Sequence, residues 1–551
     1  MYLSILVLQT LCAAALLGLA ALPVHAADRP NIIVILADDL GYSDIGCYGS
    51  EVDTPNLDRL ANGGIRFRQF YNASRCCPSR AALLTGLYPH QTGVGHMADR
   101  EFNYGEPGYT GALNRSCVTI AEVLKPAGYQ TFMSGKWHVA MERGSWPHDR
   151  GFDDFYGIVH GAANFFKVGP FSMLARNNDL IEQEPGDYYL TEALSGHAIE
   201  YIRSATQQDK PYFLYLAYTA PHFPLQARAA GIEKYRGKYM DGWDALRQHR
   251  LNRQKELGIF DDSLALSPRD GAVPPWEEVE NKDSWDLSMA VYAAMIDSMD
   301  QNIGRVLDAV HASGKEANTL ILFLSDNGGT PEPLHLTPDV PPGPETSFHT
   351  VDAPWANASN TPFRLYKRWA HEGGIRTPCI VRWPAVIPER LHGTLVDDVG
   401  HVIDLMATCV EAAGAHYPET FGGQAIPPFE GQSLLPILRG DRLERRAPLY
   451  WEHEGNRAVR AGRWKLVSCK SNWGMHLSLD EVTWASNEWE LYDMTADPVE
   501  LHNLASSMPE KVRELSAGYH QWADSHAVKD WEDLLPTYRL NQEKRAAADA
   551  Q

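Results

Sequence analysis

The chain has 551 residues, a formal net charge of −21 and a hydrophobic content of 44%. This length allows a large buried core and predicts two to four domains. The acidic balance, without any run rich in Lys or Arg, argues against a nucleic-acid partner, because a phosphate backbone is held by clustered basic side chains.

The N-terminal segment is apolar and carries no charged side chain. Residues 1–26 end in Val24-His25-Ala26, a pattern typical of a secretory signal peptide with its small-residue cleavage site. An uncleaved membrane anchor is the alternative, since no basic residue lies near Met1. No later stretch reaches the ~18 apolar residues that a spanning helix needs. We therefore expect an exported protein, periplasmic or secreted, without stable membrane association.

A short apolar run follows this segment. The sequence NIIVIL at 31–36 predicts a strand buried on both faces, as in a parallel sheet that is covered by helices on each side. Two acidic residues, Asp38 and Asp39, come directly after its carboxyl end. They are the first candidates for a functional site.

Two adjacent cysteines, Cys76 and Cys77, precede a short helical segment. Pro78 suits the first turn of that helix and Gly86 suits its end. A helix N-terminus attracts anions, and Arg80, one turn after the first cysteine, can reach back toward it. Inert packing thiols are the alternative. The cysteines of the chain show no CxxC spacing, so neither a zinc ribbon nor a disulfide framework is indicated.

Two further apolar runs repeat the design of the first strand. Residues 210–222 end in His222, and residues 318–329 contain Asp326 and Asn327 after the apolar core of the run. Helical spacing between the runs predicts an α/β fold, in which the active site lies beyond the carboxyl ends of the parallel strands. The polar residues after all three strands are therefore expected to meet.

The four acidic and amide side chains at these strand ends predict a metal site. Asp38, Asp39, Asp326 and Asn327 offer only oxygen ligands, which suit Ca²⁺ or Mg²⁺ better than Zn²⁺. The alternative is that they serve as turn and capping residues.

The remaining segments complete the organisation. Residues 225–285 are polar and weakly periodic, and we interpret them as an insertion that forms part of the substrate wall. Apolar spacing over 289–310 predicts a helix that Gly314 ends. Short alternating runs late in the chain predict a smaller α+β subdomain at 441–551, after a main domain at 27–440.

The cysteine segment and several others resemble the type I sulfatases. Residues 76–86 match the signature C-x-P-S-R-x(4)-T-G of that family. Further matching segments follow in the family's order: LADDLGYSD, GKWH at 135–138, RGFDDFYG at 150–157, APHFPLQA at 220–227, SDNGG at 325–329, FRLYKRWAHEGGIRTP at 363–378 and ELYDMTADPVELHNLA at 490–505. The resemblance covers nearly the whole chain after residue 26. It implies an alkaline-phosphatase-like fold, with a large, mostly parallel sheet between helices and a smaller C-terminal antiparallel sheet.

The resemblance also implies the reactive group and its metal. Cys76 would be oxidised to Cα-formylglycine by a dedicated maturation enzyme, whereas Cys77 occupies a variable position. One divalent cation, Ca²⁺ rather than Mg²⁺, would be held by Asp38, Asp39, Asp326 and Asn327, with residue 76 completing the set.

The remaining roles follow from the same resemblance. One hydroxyl of the hydrated aldehyde, activated by the metal and Arg80, would attack sulfur, and His138 would deprotonate the second hydroxyl to release sulfate. Lys136 would hold the hydroxyl in place. His222 and Lys367 would contact sulfate oxygens and assist the leaving group. Around Lys367 the family's R-G-x-K-G is replaced by RLYKR at 364–368.

The sequence thus predicts hydrolysis of sulfate esters, either aryl sulfates or sulfated carbohydrates. A phosphonate or phosphate ester hydrolase of the same superfamily is the nearest alternative, because both ester types are tetrahedral. A non-catalytic sulfate- or sugar-binding protein is the alternative from another class. The residues do not distinguish aryl from carbohydrate substrates.

Overall fold

The computed structural model describes residues 29–549 except 184, 473–474, 476–482, 484 and 486. The signal peptide predicted at 1–26 lies outside the described residues. Among the helices of the described part, none is long and apolar enough to cross a membrane.

The main sheet has eleven strands, most of them parallel to their neighbours. In chain order they are β1 Asn31–Ala37, β2 Ile65–Tyr71, β3 Gln130–Gly135, β4 Asp154–Ile158, β5 Leu174–Arg176, β6 Asp179–Leu180, β7 Tyr212–Ala217, β8 Thr319–Ser325, β9 Arg376–Arg382, β10 Thr394–Val396 and β11 Gly400–His401. The spatial order is β10-β2-β9-β8-β1-β7-β3-β4-β5-β6, with β11 beside β2. The three strands predicted from apolar runs are β1, β7 and β8, and they are adjacent and parallel.

Strand β1 shows why these runs are continuously apolar. Ile32 and Val34 belong to the core on one face of the sheet, while Ile33 and Ile35 belong to the core on the other. All four are fully buried, and each such side chain contributes roughly 1.5–3 kcal/mol to folding. Apolar residues therefore fill successive positions of this strand, and its one polar residue, Asn31, lies at its start, where the side chain donates to Thr319.

The described part of the chain has thirteen α-helices, several of which cover the two faces of the main sheet. They are α1 Pro55–Asn62, α2 Cys76–Thr85, α3 Ile120–Leu124, α4 Leu190–Gln207, α5 Ala229–Tyr235, α6 Gly242–Glu256, α7 Lys282–Ala312, α8 Asp352–Ser359, α9 Glu372–Ile375, α10 Asp404–Ala413, α11 Leu435–Arg439, α12 Pro509–Ser525 and α13 Trp531–Asp549. The apolar spacing over 289–310 lies within α7, and Gly314 follows its end in the left-handed conformation.

A second, antiparallel sheet confirms the predicted C-terminal architecture. Its strands are β14 Leu449–His453, β15 Asn456–Ala461, β16 Trp464–Ser468 and β17 Glu490–Asp493, after a small hairpin of β12 Thr420–Phe421 and β13 Gln424–Ala425. Buried Lys465 on β16 links the second sheet to helix α9, because its ammonium lies 2.7 Å from carboxylate oxygens of both Glu372, at the start of α9, and Glu500. The domain boundary at 440/441 stays a prediction.

The segment at 225–285 contains α5 and α6, and its tryptophans are core residues. Trp243 packs edge-to-face against Trp276 and Trp355, and the rings of all three are buried. From α6, the buried Arg250 pairs with Asp44 in the loop after β1. The segment therefore stabilises the strand-end loops, and its role in a substrate wall stays a prediction.

Candidate active site

Four neighbouring parallel strands end at one level and carry the polar residues of the site. Leu36 lies opposite Ala217 on β7, and Ala37 lies opposite Ser325 on β8. Beyond these ends the structure brings together all the residues predicted from the sequence. They are Asp38, Asp39, Cys76, Arg80, Lys136, His138, His222, Asp326, Asn327 and Lys367, and none is more than 5% exposed.

Helix α2 begins at Cys76, as the sequence predicts. The side chain of Ser79 accepts a hydrogen bond from the backbone N–H of Ala73 at 2.9 Å, which fixes the chain before the first turn. The helix ends at Gly86, whose φ is +71°. A Cβ at that glycine would lie 2.6 Å from the Cβ of Met406, so the close approach of α10 also requires glycine.

The two adjacent thiols have different environments. The pKa of Cys76 lies well below its usual value because it accepts a hydrogen bond from Cys77, and the positive charge of Lys136 adds to the effect. Burial raises the pKa of Cys77 well above its usual value. The sulfur atoms of both cysteines and a ring nitrogen of His138 all lie within 4.8 Å of one another. Cys76 is therefore the more acidic thiol of the pair.

The oxygen cluster fits a hard cation. Asp39 accepts a hydrogen bond from the amide of Asn327 at 2.6 Å, and its backbone N–H donates to Asp326 at 3.3 Å. Burial, together with the charge of Asp38, raises the pKa of Asp326 to about 8. The buried Oδ1 atoms of Asp38 and Asn327 find no hydrogen-bond donor among the described residues. Unsatisfied oxygens beside crowded carboxylates are what Ca²⁺ or Mg²⁺ would complete.

Arg80 and Lys136 neutralise part of this cluster. Arg80 donates from Nε to Oδ2 of Asp326 at 2.9 Å and from Nη1 to the carbonyl of Lys136 at 2.9 Å, and its Nη2 lies 2.8 Å from the same Asp326 oxygen in an ion pair. The ammonium of Lys136 donates to Asp38 at 2.7 Å. The hydrogen bonds of Arg80 thus orient it toward the oxygen cluster, and Cys76 is near enough for its charge to act on the guanidinium.

The GKWH segment turns sharply as it leaves β3. Gly135 has a φ of +131°, and a Cβ there would lie 1.8 Å from the carbonyl oxygen of Ala217. His138 is also left-handed, with a φ of +54°. Burial lowers the pKa of His138 to about 3, and its buried Nδ1 has no hydrogen-bond partner in the described part of the chain. The ring is neutral and has a nitrogen free to exchange a proton.

His222 and Lys367 lie on the opposite side of Asp39. The ammonium of Lys367 lies 2.9 and 3.0 Å from its two carboxylate oxygens, and Nε2 of His222 lies 3.6 Å from one of them. Burial lowers the pKa of His222 to about 4, so the ring is neutral at physiological pH. Its Nδ1 contacts the backbone carbonyl of Phe223 at 2.7 Å.

The loop of Lys367 reaches the site without the glycines of the sequence motif. Leu365 and Arg368 stand at the glycine positions, and both adopt left-handed backbone conformations with φ of +61° and +85°. The backbone N–H of Lys367 donates to Gly329 at 3.2 Å, and that of Arg368 donates to Ser74 at 2.8 Å. The loop is therefore anchored both to the Asp326 segment and to the chain before α2.

Sequence reasoning missed Glu332. Its carboxylate lies 3.4 Å from Lys367, 3.1 Å from Arg368 and 3.6 Å from Arg75. These cations outweigh the effect of burial and lower its pKa. The only available signal was its position shortly after the SDNGG segment, since no periodic pattern marks a single loop carboxylate.

A second buried cluster lies where the β14–β15 turn meets the main domain. His96, His453 and Glu454 place their ligand atoms within 4.8 Å of one another. Nε2 of His96 contacts Glu454 at 2.8 Å, and Arg75 also pairs with that carboxylate. The guanidinium of Arg75 already balances the charge of this cluster, so the cluster holds the β14–β15 turn against the segments that carry Arg75 and His96.

Comparisons with known proteins agree with this geometry. The family model described as "Sulfatase" matches residues 30–415, and the model described as "N-sulphoglucosamine sulphohydrolase, C-terminal" matches residues 363–521. An arylsulfatase of Klebsiella aerogenes is 35% identical, with 77% of this chain and 96% of that protein covered. An uncharacterized sulfatase of Schizosaccharomyces pombe is 34% identical, with 88% and 92% covered.

Two further similarities concern a more distant relative and a solved structure. The N-acetylgalactosamine-6-sulfatase of Rattus norvegicus is 29% identical, with 89% of this chain and 78% of that protein covered. The crystal structure of Ps i-CgsB in complex with k-i-k-neocarrahexaose has a TM-score of 0.67 and 25% identity, with 93% of this chain and 98% of that chain covered.

Proposed function

The chain belongs to the sulfatase family and is a sulfuric ester hydrolase, and we propose that residue 76, as Cα-formylglycine, is its nucleophile. The observation that carries the proposal is the position of Cys76, at a helix N-terminus, beside His138 and the oxygen cluster. A maturation enzyme that reads the segment Cys76-x-Pro78-Ser79-Arg80 would be needed before folding buries it. When formed, the hydrated aldehyde supplies two hydroxyl groups on one carbon, one to attack sulfur and one to release the product.

One Ca²⁺ fits the oxygen cluster, with Mg²⁺ as the alternative. Asp38, Asp39, Asp326 and Asn327 would hold it, because their oxygens are buried, close together and incompletely hydrogen-bonded. When bound, such a cation supplies a positive charge that polarises sulfate oxygens and aligns the nucleophile.

The side chains around residue 76 have separate tasks. Arg80 and Lys136 bring two positive charges to the cluster and keep Asp38 and Asp326 in fixed positions. The neutral ring of His138 has an unoccupied nitrogen and can take a proton from residue 76 during turnover.

The leaving oxygen is expected on the side of His222 and Lys367. His222, whose Nδ1–H donates to the carbonyl of Phe223, can donate through Nε2 once its ring has gained a proton, while the charged Lys367 stabilises negative charge as it develops. Asp39 keeps both groups within 3.6 Å of one carboxylate, so the two act on the same region of the substrate.

The substrate is proposed to be an aryl sulfate or a sulfated carbohydrate. Relatives named arylsulfatase and N-acetylgalactosamine-6-sulfatase support both classes, and a similar structure was solved with k-i-k-neocarrahexaose. The apolar, uncharged residues 1–26 support export to the periplasm or the medium.

Parallel assays test the proposal. One preparation, with residue 76 identified by peptide mass spectrometry, is assayed on p-nitrophenyl sulfate, p-nitrophenyl phosphate and phenylphosphonate. We expect the aldehyde at residue 76 and the highest kcat/KM on the sulfate. A dominant rate on phosphonate or phosphate would favour the other hydrolase activity of the superfamily, and binding of sulfate esters without turnover would favour a binding protein.

A further inference from the structure

Phe171 is a large apolar side chain that the fold leaves uncovered. It is 61% exposed, in a loop between β4 and β5. Its ring lies against the ring of His160, with the centroids 3.9 Å apart and the planes inclined at 55°. One face of a phenyl ring is thus supported by the protein while much of its surface remains available to a ligand.

The backbone fixes the position of this ring. The backbone N–H of His160 donates to the carbonyl of Ser172 at 3.3 Å, and the backbone N–H of Val159 donates to the carbonyl of Met173 at 3.2 Å. These bonds continue the antiparallel pairing of β4 with β5 up to the loop that carries Phe171. The ring is presented by a short turn at the end of a sheet ladder.

The rings of His160 and Phe171 lie next to the side chains that surround Cys76. The ring centroid of His160 lies 5.9 Å from that of His138, which lies beside Cys76. Between them, a Cβ at Gly161 would come within 2.4 Å of the His138 ring, so this segment packs closely on the site. Cys76, His138, His160 and Phe171 are therefore successive neighbours, from the buried Cys76 to the exposed Phe171.

His160 adds a polar group to this path. Its buried Nδ1 has no hydrogen-bond partner among the described residues. Burial lowers its pKa to about 4, so the ring is neutral, and Nδ1 can form one hydrogen bond with a ligand. An apolar face next to a single unused polar atom is the combination that binds a ring bearing a hydroxyl or ether oxygen.

We propose that Phe171 and His160 form a stacking subsite for the ring that carries the sulfate ester. The ligand is the flat face of an aromatic or pyranose ring, placed so that its sulfate reaches residue 76. This inference rests on the proposed function, because it assigns one side of the same site to the alcohol part of the substrate.

The experiment compares the wild-type protein with Phe171→Ala, Phe171→Trp and the matched control Met240→Ala, which removes another exposed apolar side chain. Each is assayed on p-nitrophenyl sulfate, glucose 6-sulfate and n-butyl sulfate, which has no ring. In Phe171→Ala we expect KM to rise about three- to tenfold for at least one ring substrate. The change on n-butyl sulfate stays below about twofold, Phe171→Trp retains binding, and Met240→Ala changes nothing.

The outcomes distinguish aromatic from pyranose rings as the ligand, and they test the stacking subsite separately from the proposed hydrolysis of sulfate esters. Loss on only one ring substrate identifies that class as the ligand. Equal loss on n-butyl sulfate, or no loss at all, overturns the subsite. Wild-type turnover of any sulfate ester tests the proposed function by itself. Calorimetric Kd values for the same three esters, measured in a Cys76→Ala background with and without Phe171→Ala, test the subsite without turnover; unchanged Kd for both rings also overturns it.

Discussion

Lys367 and Asp39 form a buried ion pair in which the ammonium nitrogen is almost equidistant from both carboxylate oxygens, at 2.9 and 3.0 Å. Lys367 is 2% exposed and Asp39 is 1% exposed. Breaking such a pair leaves an uncompensated charge in a region that water does not reach. The lysine is therefore held in one position, although the glycines expected on either side of it are absent.

This pair predicts the effect of removing the lysine. Lys367→Ala should lower kcat/KM by at least about 100-fold, because charge on the leaving oxygen loses its stabilisation. The loss should be larger for aryl sulfates with more basic leaving groups, and Lys367→Arg should restore part of the rate. Lys125→Ala, which breaks an exposed pair with Asp153, serves as the control. Equal losses across leaving groups would contradict the role assigned to Lys367.

Removing one carboxylate of the oxygen cluster should remove the cation. Asp326→Ala is expected to weaken Ca²⁺ binding by at least about 100-fold and to abolish turnover while the chain stays folded, since ligand charge and number set the affinity. Atomic emission after gel filtration measures the metal, and circular dichroism checks the fold. Asp300→Asn changes another buried aspartate, which binds backbone N–H groups of α1, and should retain the metal. Stoichiometric Zn²⁺ that alone restores activity after chelation would refute the Ca²⁺ assignment.

The glycine pair after the Lys367 loop provides a test of positioning. A Cβ at Gly374 would lie 2.0 Å from the carbonyl oxygen of Trp369 and 2.4 Å from that of Tyr366. Gly374→Ala must therefore displace the loop, and we expect a lower melting temperature together with a lower kcat. Gly196→Ala on α4, where a Cβ meets no atom within 4 Å, should keep the activity and be neutral or stabilising. Unchanged kcat in Gly374→Ala would show that the loop tolerates the shift.

Local patterns predicted three strands of the main sheet and the polar residues after them, whereas Lys136, His138 and Lys367 were named only from the resemblance to the sulfatases. The apolar runs of β1, β7 and β8 fixed three adjacent parallel strands, and the polar residues after them met at one edge of the sheet. The start of α2 at Cys76 also followed from the positions of Pro78 and Gly86. These features depend on neighbours in the sequence, so they can be read from it.

Features that depend on distant contacts were not predicted. Glu332 belongs to the site only because the chain brings it to Lys367 and Arg368. Leu365 adopts a left-handed backbone, against the preference of the residue itself, and its carbonyl accepts a hydrogen bond from the side chain of Asn360. The pairing of β4 with β5 likewise brings Phe171 to His160, which in turn lies beside His138.

Buried neutral histidines are expected to make the folded protein less stable in acid. Substitution of His96 tests this for a single residue. Burial lowers its pKa to about 4 in the folded protein, whereas an unfolded chain has an ordinary value near ~6.5. Below pH 6.5 the unfolded state therefore binds more protons, and the free energy of unfolding falls as pH falls toward 4. His96→Gln loses the contact with Glu454 at neutral pH. Because glutamine does not take up a proton, the variant does not share the further loss of stability that the wild type shows as pH falls.

The stability deficit of His96→Gln should therefore shrink by about 2 kcal/mol between pH 6.5 and pH 5. Urea denaturation of variant and wild type at several pH values measures it. His520→Gln, which changes an exposed histidine, serves as the control. Parallel stability curves for His96→Gln and the wild type would mean that the ring is protonated in the folded state.

The two adjacent cysteines should respond very differently to substitution. Cys76→Ala should abolish sulfate ester hydrolysis, because alanine cannot provide the paired hydroxyl groups. Cys77→Ser should retain most of the activity, since a hydroxyl can still donate a hydrogen bond to residue 76 in place of the thiol. Peptide mass spectrometry of active wild-type protein should show the aldehyde at residue 76 and an unconverted cysteine at 77.

Protein made without the maturation enzyme completes this test. It should fold normally, because the modification changes one side chain in the first turn of α2, while Leu83 and Leu84 keep the helix in the core. It should also be nearly inactive, since a thiol at position 76 has no second oxygen through which sulfate can be released and the nucleophile restored. Melting temperature and kcat, measured on converted and unconverted preparations, separate the two effects. Full activity from protein that carries only unmodified Cys76 would overturn the proposed nucleophile.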